Sequence, residues 1–161
     1  MISVLTYTKR IVCLAKSTKL GGTCVAGREW KDGVPGDWIR PIGNRPNESI
    51  SCEELRLESG PEVSLLDILE IDFVAHRPHS CQVENHLIDS HSRWRRVSKL
   101  EWRRVGELAE TPPTIWGASG IGYNNDRIPE SEADGLGSSL MLVRLTAPRV
   151  KVKQWPERWT V

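Results

Sequence analysis

Three short apolar runs, separated by glycine-containing turns, fill residues 9–42. The runs at 9–16, 23–30 and 38–42 contain β-branched side chains and are bounded by charged residues, as buried strands usually are. The turns contain Gly21-Gly22 and Asp32-Gly33, which permit the positive φ angles of tight turns. Connections this short leave no room for a crossover helix. The sequence therefore predicts three consecutive antiparallel strands and argues against a parallel βαβ unit.

The rest of the chain continues this β-rich pattern with one or two helices. Residues 68–73 alternate apolar and acidic side chains, and residues 82–88, 139–145 and 150–155 are further strand candidates. Residues 51–57 begin with an N-cap serine, and residues 94–108 carry apolar side chains near helical spacing, so both predict a short helix. Residues 111–137 predict a long loop. We expect a mostly β protein, because closed small barrels remove exposed strand edges.

The composition describes a globular chain of balanced charge. The 22 Lys and Arg residues and the 21 Asp and Glu residues give a net charge of +1, which excludes a polybasic coat and an acidic disordered tail. No apolar run approaches the roughly 20 residues of a membrane-spanning helix, and the first residues lack the order of a secretory signal. We expect a soluble, cytoplasmic protein with no membrane partner.

The cysteines at positions 13, 24, 52 and 81 are spaced too widely for a CxxC pair or a compact zinc motif. Cys13 and Cys24 stand in apolar strand-like contexts, so we expect free and mostly unreactive thiols. The alternative is a zinc site that uses Cys52, Cys81 and two of the histidines at 76, 79, 86 and 91. No two of these form a tight chelating pair, and we expect neither a metal nor a cofactor.

Positive charge is concentrated in particular segments. Residues 93–104 contain six Lys or Arg residues and one acid, interleaved with Trp94 and Trp102. Arginine neutralises phosphate and tryptophan stacks on bases, but the same pattern fits a solvated helix that its two tryptophans anchor to the core. We predict that cations of this segment and of the first 50 residues form one basic face. They are Lys16, Lys19, Arg28, Arg40, Arg93, Arg95, Arg96 and Lys99.

Two strand segments add candidates for contact with a planar ligand. Trp38 and Arg40 offer an aromatic ring and a guanidinium, although a tryptophan in a short strand usually lies in the core. Residues 82–86 group four polar side chains around one valine. They predict either a structural polar strand or a recognition edge in which amides such as that of Asn85 read a base. Residues 16–22 have the glycines and lysines of a phosphate-binding loop but lack its GxxxxGK[ST] order.

The first 42 residues and two later segments resemble a known family. The strings K-L-G-G-T-C-V-A-G at 19–27 and W-I-R-P-I at 38–42, then L-L-D-I at 65–68 and Q-V-E-N at 82–85, are similar to the dual-OB-containing domain of bacterial proteins. The resemblance implies two small packed OB-like barrels. We expect a single compact unit over residues 1–161, with OB-like halves at about 1–75 and 76–161. The resemblance implies no catalytic residue, and fold alone does not fix function.

Three functions stay open on the sequence alone. The first is a non-catalytic OB-like module that binds single-stranded nucleic acid or a nucleotide-like ligand. The second is a protein-interaction or regulatory subunit of an intracellular bacterial complex, since seven tryptophans also suit a partner interface. The third is a metal-dependent nuclease built on Asp67, Glu70 or Asp72. The predicted ligand-binding residues are Lys16, Lys19, Arg28, Trp38, Arg40, Asn85, Arg93, Trp94, Arg95, Arg96 and Lys99.

Overall fold

Strands dominate the structure, as the glycine-turn spacing predicts. A computed structural model describes residues 6–19, 21–115, 128–150, 152–155 and 158–160. The helical elements of this part of the chain are a 3₁₀-helix (Trp102–Leu108) and a one-turn helix, α1 (Glu130–Ala133). The mostly β class with short helices is therefore confirmed. The strands are β1 (Tyr7–Lys19), β2 (Gly22–Lys31), β3 (Val34–Ile42), β4 (Asp67–His76), β5 (Asn85–Ile88), β6 (Arg95–Lys99), β7 (Lys153–Trp155) and β8 (Arg158–Thr160).

The first three strands form the predicted antiparallel meander. β1 pairs with β2, and β2 pairs with β3. At the β2–β3 turn, Asp32 and Gly33 have φ angles of 50° and 86°. Two consecutive positive φ angles define a type I′ turn, which an Asp-Gly pair favours and which matches the twist of the flanking strands. The hairpin register places Arg28 directly opposite Trp38.

Five strands close into a ring in the order β1-β2-β3-β5-β4, because β4 pairs back with β1. The β3–β5 pairing is parallel, and the other pairings of the ring are antiparallel. A five-stranded barrel of this kind is the architecture of an OB fold. β5 belongs to the ring although it lies beyond residue 76. The division of the chain into two halves near that position stays a prediction.

The ring encloses an apolar core built from alternate strand residues. Phe73 and Leu69 of β4 are fully buried in it, as is Ile11 of β1. The segment between β3 and β4 adds Ile50, Leu55, Leu57 and Val63 to the same core. Burial of this apolar surface is the main stabilising contribution to a domain of this size.

A second apolar cluster lies on the outer face of the sheet. Val12 and Ile68 alternate with core residues along their strands and therefore point away from the ring. The cluster consists of Val12, Trp30, Ile68, Leu100 and Leu108. Since Leu108 ends the 3₁₀-helix, this packing holds the segment after β6 against the outer face.

Several elements differ from the sequence prediction. Residues 95–99 form an edge strand paired with β4, and only the second half of the predicted helix at 94–108 is helical. The β4 edge supplies backbone partners, and a segment in which Val97 stands among mostly charged residues suits an exposed strand. Residues 51–57 lack the predicted helix, although Ser51 and Glu54 exchange the hydrogen bonds of a capping box. The predicted strand at 139–145 is an isolated bridge between Val143 and Glu110.

No helix among the described residues is long and apolar enough to cross a membrane.

Candidate ligand-binding site

A cavity of about 670 Å³ opens beside strands β2 and β3 and the loop that joins β4 to β5. Ligand pockets usually measure roughly 300–1,000 Å³, so this volume suits a small molecule or one unit of a polymer. Residues of β1, the end of β4, the start of β5 and the chain after β6 complete the wall. The lining residues are Lys9, Arg28, Asp37, Trp38, Ile39, His76, Val83, Glu84, His86, Glu110, Gly137 and Ser138.

Arg28 and Trp38 lie side by side in this wall because they are register partners. The guanidinium carbon of Arg28 is 5.8 Å from the centroid of the Trp38 ring. Arg28 Nε donates to the carbonyl of Gly36 at 2.6 Å, which orients the guanidinium. These are two of the residues that the sequence predicted for ligand binding, and the structure brings them together.

Glu110 connects the C-terminal part of the chain to this pair. One carboxylate oxygen is 3.2 Å from Arg28 Nη1, and the other accepts the indole N–H of Trp38 at 3.1 Å. The backbone N–H of Leu142 donates to the same carboxylate at 3.0 Å, and the Glu110 N–H donates to the Leu142 carbonyl at 2.7 Å. Glu110 is therefore held on both sides and fixes the orientation of the two cavity side chains.

Glu84 places a buried carboxylate in the cavity wall, with 3% of the residue exposed, and its backbone carbonyl accepts the Arg40 N–H of β3 at 2.8 Å. Its oxygens accept the backbone N–H of Ser139 at 3.3 Å and the Ser139 hydroxyl. Within the described ranges it forms no ion pair with a Lys, Arg or His side chain. A buried carboxylate without a cation is unfavourable unless donors surround it. Glu84 thus gives this wall a strong hydrogen-bond acceptor.

Two stacked histidines complete the aromatic part of the cavity. The rings of His76 and His86 are 4.6 Å apart, and Nδ1 of His86 is hydrogen-bonded to the Tyr7 hydroxyl at 2.7 Å. Burial, followed by the nearby charges of His76 and Lys9, lowers the pKa of His86 to about 4. His86 is therefore neutral near pH 7 and offers a planar ring instead of a positive charge.

The cavity is not basic. Lys9 is paired with Glu29 at 3.1 Å, and Arg28 is paired with Glu110. Burial alone would raise the pKa of Glu29, but hydrogen bonds and charge from Lys9 and Lys31 lower it, so Glu29 stays ionised. Because these cations are already neutralised, the lining disfavours a phosphate. It favours a ligand group that donates hydrogen bonds.

The arginines that the sequence singled out most strongly lie elsewhere, on β6 and just before it. We call Arg93, Arg95, Arg96 and Lys99 the β6 strip. β1 and β4 lie between β2 and β6 in the sheet, so the strip does not join the β2 side of the cavity.

Carboxylates accompany three of the four cations of the β6 strip. The carboxylate of Glu70 on β4 forms ion pairs with both Arg10 on β1 and Arg95 on β6. Arg96 Nη1 is 3.8 Å from Asp67 Oδ1. Arg93 lies 3.9 Å from Glu53, whereas Lys99 forms no ion pair with another described residue. The single basic face stays a prediction, and these contacts reduce the charge available to it.

Trp94 is a core residue and not a surface for base stacking, which corrects its predicted role. It is 1% exposed and packs with the residues inside the ring. A bridge to Leu57 immediately before β6 turns its ring inward. Trp102, its partner in the sequence pattern, is 79% exposed on the 3₁₀-helix.

The remaining predicted residues lie near the ends of the ring strands. Lys16 donates to Glu62 and to the Val63 carbonyl, both at 3.0 Å, and Lys19 ends β1. Arg40 lies opposite Asn85 in the parallel β3–β5 pairing. Asn85 is fully buried between the cavity residues at 84 and 86, and its Oδ1 accepts no hydrogen bond from any described residue.

The acidic and sulfur-containing metal candidates are dispersed. Within the described ranges, no group of three or more His, Cys, Asp or Glu side chains is placed to hold a metal ion. Glu70 binds two arginines, and Asp72 accepts the hydroxyls of Thr8 and Ser92. The four cysteines are free, as predicted, and burial raises the pKa of Cys13 to about 12. Cys52 is exposed, in contrast to the buried Cys13.

Sequence reasoning missed the cavity residues Lys9, His76 and Glu110. They are separated along the chain and meet only after ring closure, so no local motif signals them. Glu84 lies inside the segment 82–86, which the sequence predicts as a polar strand. The apolar residues on either side of that segment, Cys81 and Leu87, are the one signal in the sequence that its carboxylate is buried.

A five-stranded ring whose second and third strands frame a ligand-sized cavity defines an OB-type domain. The family model of the dual OB-containing domain matches residues 9–160, and the chain belongs to that family. The resemblance in the opening motifs is thereby confirmed over nearly the whole chain. No curated protein and no solved structure matches the chain.

Proposed function

We propose that the protein is a non-catalytic binding module for a nucleotide-like ligand, taken free or as one nucleotide of a single strand. The base occupies the cavity beside Trp38. The observation that carries this proposal is the position of the cavity. OB folds bind oligonucleotides through the face of strands 2 and 3 and through the loops between strands 1 and 2 and between strands 4 and 5. The cavity lies at β2, β3 and the β4–β5 loop.

The lining supplies planar surfaces for a base. Trp38, His76 and His86 all line the cavity, and His86 is uncharged near neutral pH. Trp38 is 8% exposed, its indole N–H already donates to Glu110, and Arg28 lies over its ring, so the part of the ring that lines the cavity is what is left for a ligand. Stacking of a base on such a side chain contributes roughly 1–3 kcal/mol.

Arg40 is the candidate phosphate contact of this face. It follows Trp38 by two residues, so the two side chains lie on the same side of β3. It forms no ion pair within the described part of the chain. A single strand with one base in the cavity would then place its backbone along β3.

Calorimetric titration with nucleoside 5′-monophosphates and with short single-stranded DNA and RNA tests the proposal. The key variants are Trp38→Phe and Trp38→Ala, and Trp102→Ala is the matched control because this tryptophan is exposed outside the cavity. We expect wild type and W102A to bind equally. We expect W38A to bind about 10-fold more weakly or worse, with W38F in between. Absence of binding by wild type, or equal losses in W38A and W102A, would contradict the proposal.

A protein interface is the second candidate function, and the exposed Trp102 favours it. This side chain borders a groove of about 320 Å³ that Val105, Leu142 and Val143 also line. Exposed tryptophan beside apolar side chains is typical of interaction surfaces. A partner that co-purifies with wild type and W38A but not with W102A would support this function over the first.

A further inference from the structure

The buried carboxylate of Glu84 sets a requirement on whatever fills the cavity. Its oxygens accept hydrogen bonds from the N–H and the hydroxyl of Ser139. An ionised carboxylate has about four acceptor positions. Glu84 therefore retains acceptor capacity that no other described residue satisfies. A ligand that presents N–H donors to these oxygens would satisfy that capacity, and one that presents only carbonyl oxygens to them would be repelled.

The other charges of the cavity point in the same direction. Asp37 and Glu110 also line it, and the cations Arg28 and Lys9 are engaged by carboxylates. The lining carries more carboxylates than cations, so an anionic group is the least favourable occupant. These charges favour an occupant that is neutral and rich in N–H donors.

We propose that Glu84 selects the base in this cavity by accepting two adjacent N–H donors, and that the preferred base is guanine. The inference rests on the proposed function. Guanine presents N1–H and its 2-amino group side by side on one edge. Adenine and cytosine pair an amino donor with an acceptor nitrogen, and uracil places one N–H between two carbonyls. Two parallel donors match the two oxygens of a carboxylate, as the arginine fork does.

The cost of a wrong base follows from the burial of Glu84. A site built around a hydrogen bond discriminates strongly against an analogue that lacks the donor, because its own polar group is left unpaired. Inosine differs from guanosine only by the missing 2-amino group. We expect inosine 5′-monophosphate to bind about 10-fold more weakly than guanosine 5′-monophosphate, and the adenosine and uridine nucleotides to bind more weakly still.

Calorimetric titration of the full chain with these four nucleotides tests the inference. The test variant is Glu84→Gln, which keeps the side-chain shape but replaces one acceptor oxygen with a donor. The control is Glu58→Gln, since Glu58 is exposed and outside the cavity. Thermal melting of each variant confirms that it folds. We expect the guanosine-over-inosine preference in wild type and E58Q, and its loss in E84Q.

The outcomes separate the two levels of the proposal. If wild type binds the nucleotides without the guanosine preference, or if E84Q keeps it, the role of Glu84 is wrong while nucleotide binding stands. If no nucleotide and no single strand binds to wild type, the proposed function itself is wrong, and the base preference is overturned with it.

Discussion

The cavity and the β6 strip use charged side chains in opposite ways. In the cavity, the Arg28 side chain is 15% exposed, that of its partner Glu110 is 34% exposed, and Glu84 is buried, so these interactions are largely shielded from water. On the β6 strip, the Arg95 side chain is 61% exposed. Exposed ion pairs contribute only about 0–1 kcal/mol, whereas a buried charge must find partners. The comparison shows that a dense run of arginines marks a solvated strand here, and a sparse set of distant residues builds the cavity.

The β6 strip has a structural reason for its composition. β6 is paired with β4 and is exposed along its whole length. Charged side chains on an edge strand discourage pairing with another chain. Arginine and lysine at these positions therefore have a structural role that does not depend on a ligand, and their predicted role in ligand binding stays a prediction.

The largest expected difference is in the effect of alanine substitution on the free energy of unfolding, at Trp94 before β6 and at Trp102 after it. Trp94→Ala should lower the free energy of unfolding by about 3–5 kcal/mol, since it empties a space in the core. Trp102→Ala should change it little, because that side chain is exposed. Chemical denaturation of both variants measures the difference. Similar small effects would show that Trp94 is not a core residue.

Removal of the Glu110 carboxylate should have the next largest effect. Glu110→Ala leaves Arg28 and the indole N–H of Trp38 without their acceptor, so we expect a loss of about 2 kcal/mol of stability. Glu107→Ala is the control, since Glu107 pairs with Arg104 on the exposed 3₁₀-helix. Differential scanning calorimetry compares the two variants with wild type. Equal melting temperatures for the two variants would argue against the Glu110 contacts.

His86 should make stability depend on pH in a defined window. Its pKa falls from an ordinary value near 6.5 to about 4 on folding, mainly through burial. The unfolded chain therefore binds more protons between these values, and stability decreases as pH falls from about 6.5 to 4. After allowance for solvent screening, this contribution is about 1–2 kcal/mol.

Urea unfolding across this pH range measures the slope for wild type, His86→Gln and the control His91→Gln, whose residue is exposed. We expect a shallower slope in H86Q alone. An unchanged slope in H86Q would mean that His86 titrates normally in the folded protein.

The smallest effect is expected for charge reversal on the β6 strip. Arg95→Glu with Arg96→Glu should change mononucleotide affinity less than about twofold, because the strip is separate from the cavity and pairs with Glu70 and Asp67. With single strands, each phosphate contact at the strip would instead add about 0.7 to the salt slope. Fluorescence anisotropy across a salt series distinguishes these cases. Loss of mononucleotide binding in the double variant would assign the ligand to the β6 strip.

Local sequence signals predicted the strands well but not the cavity. The Asp32-Gly33 turn predicts the hairpin, but its register alone would place Arg28 opposite Asp37. A register shift between Arg28 and Trp30 places Arg28 opposite Trp38 instead, and the sequence does not signal that shift. Glu110 meets this pair from more than 70 residues away, and no periodicity encodes that contact.

The error at residues 94–108 has a related cause. Apolar spacing there fits a helix, but β4 presents a free edge that only the folded ring provides. Pairing with that edge outweighs a weak helical pattern. Both errors have the same cause. The β6 strand and the cavity residues Lys9, His76 and Glu110 take their places only when the ring closes through long-range contacts.

Binding in the cavity beside Trp38 is tested most directly by nuclear magnetic resonance on the wild-type chain during titration with guanosine 5′-monophosphate. The indole N–H signal of Trp38, assigned with the W38F variant, reports on the cavity, while the backbone signals of residues 95–99 report on the β6 strip. We expect the Trp38 signal and those of residues 83–86 to shift with one saturating curve, and the signals of residues 95–99 to stay in place. Shifts confined to residues 95–99, with the Trp38 signal unchanged, would contradict binding in the cavity.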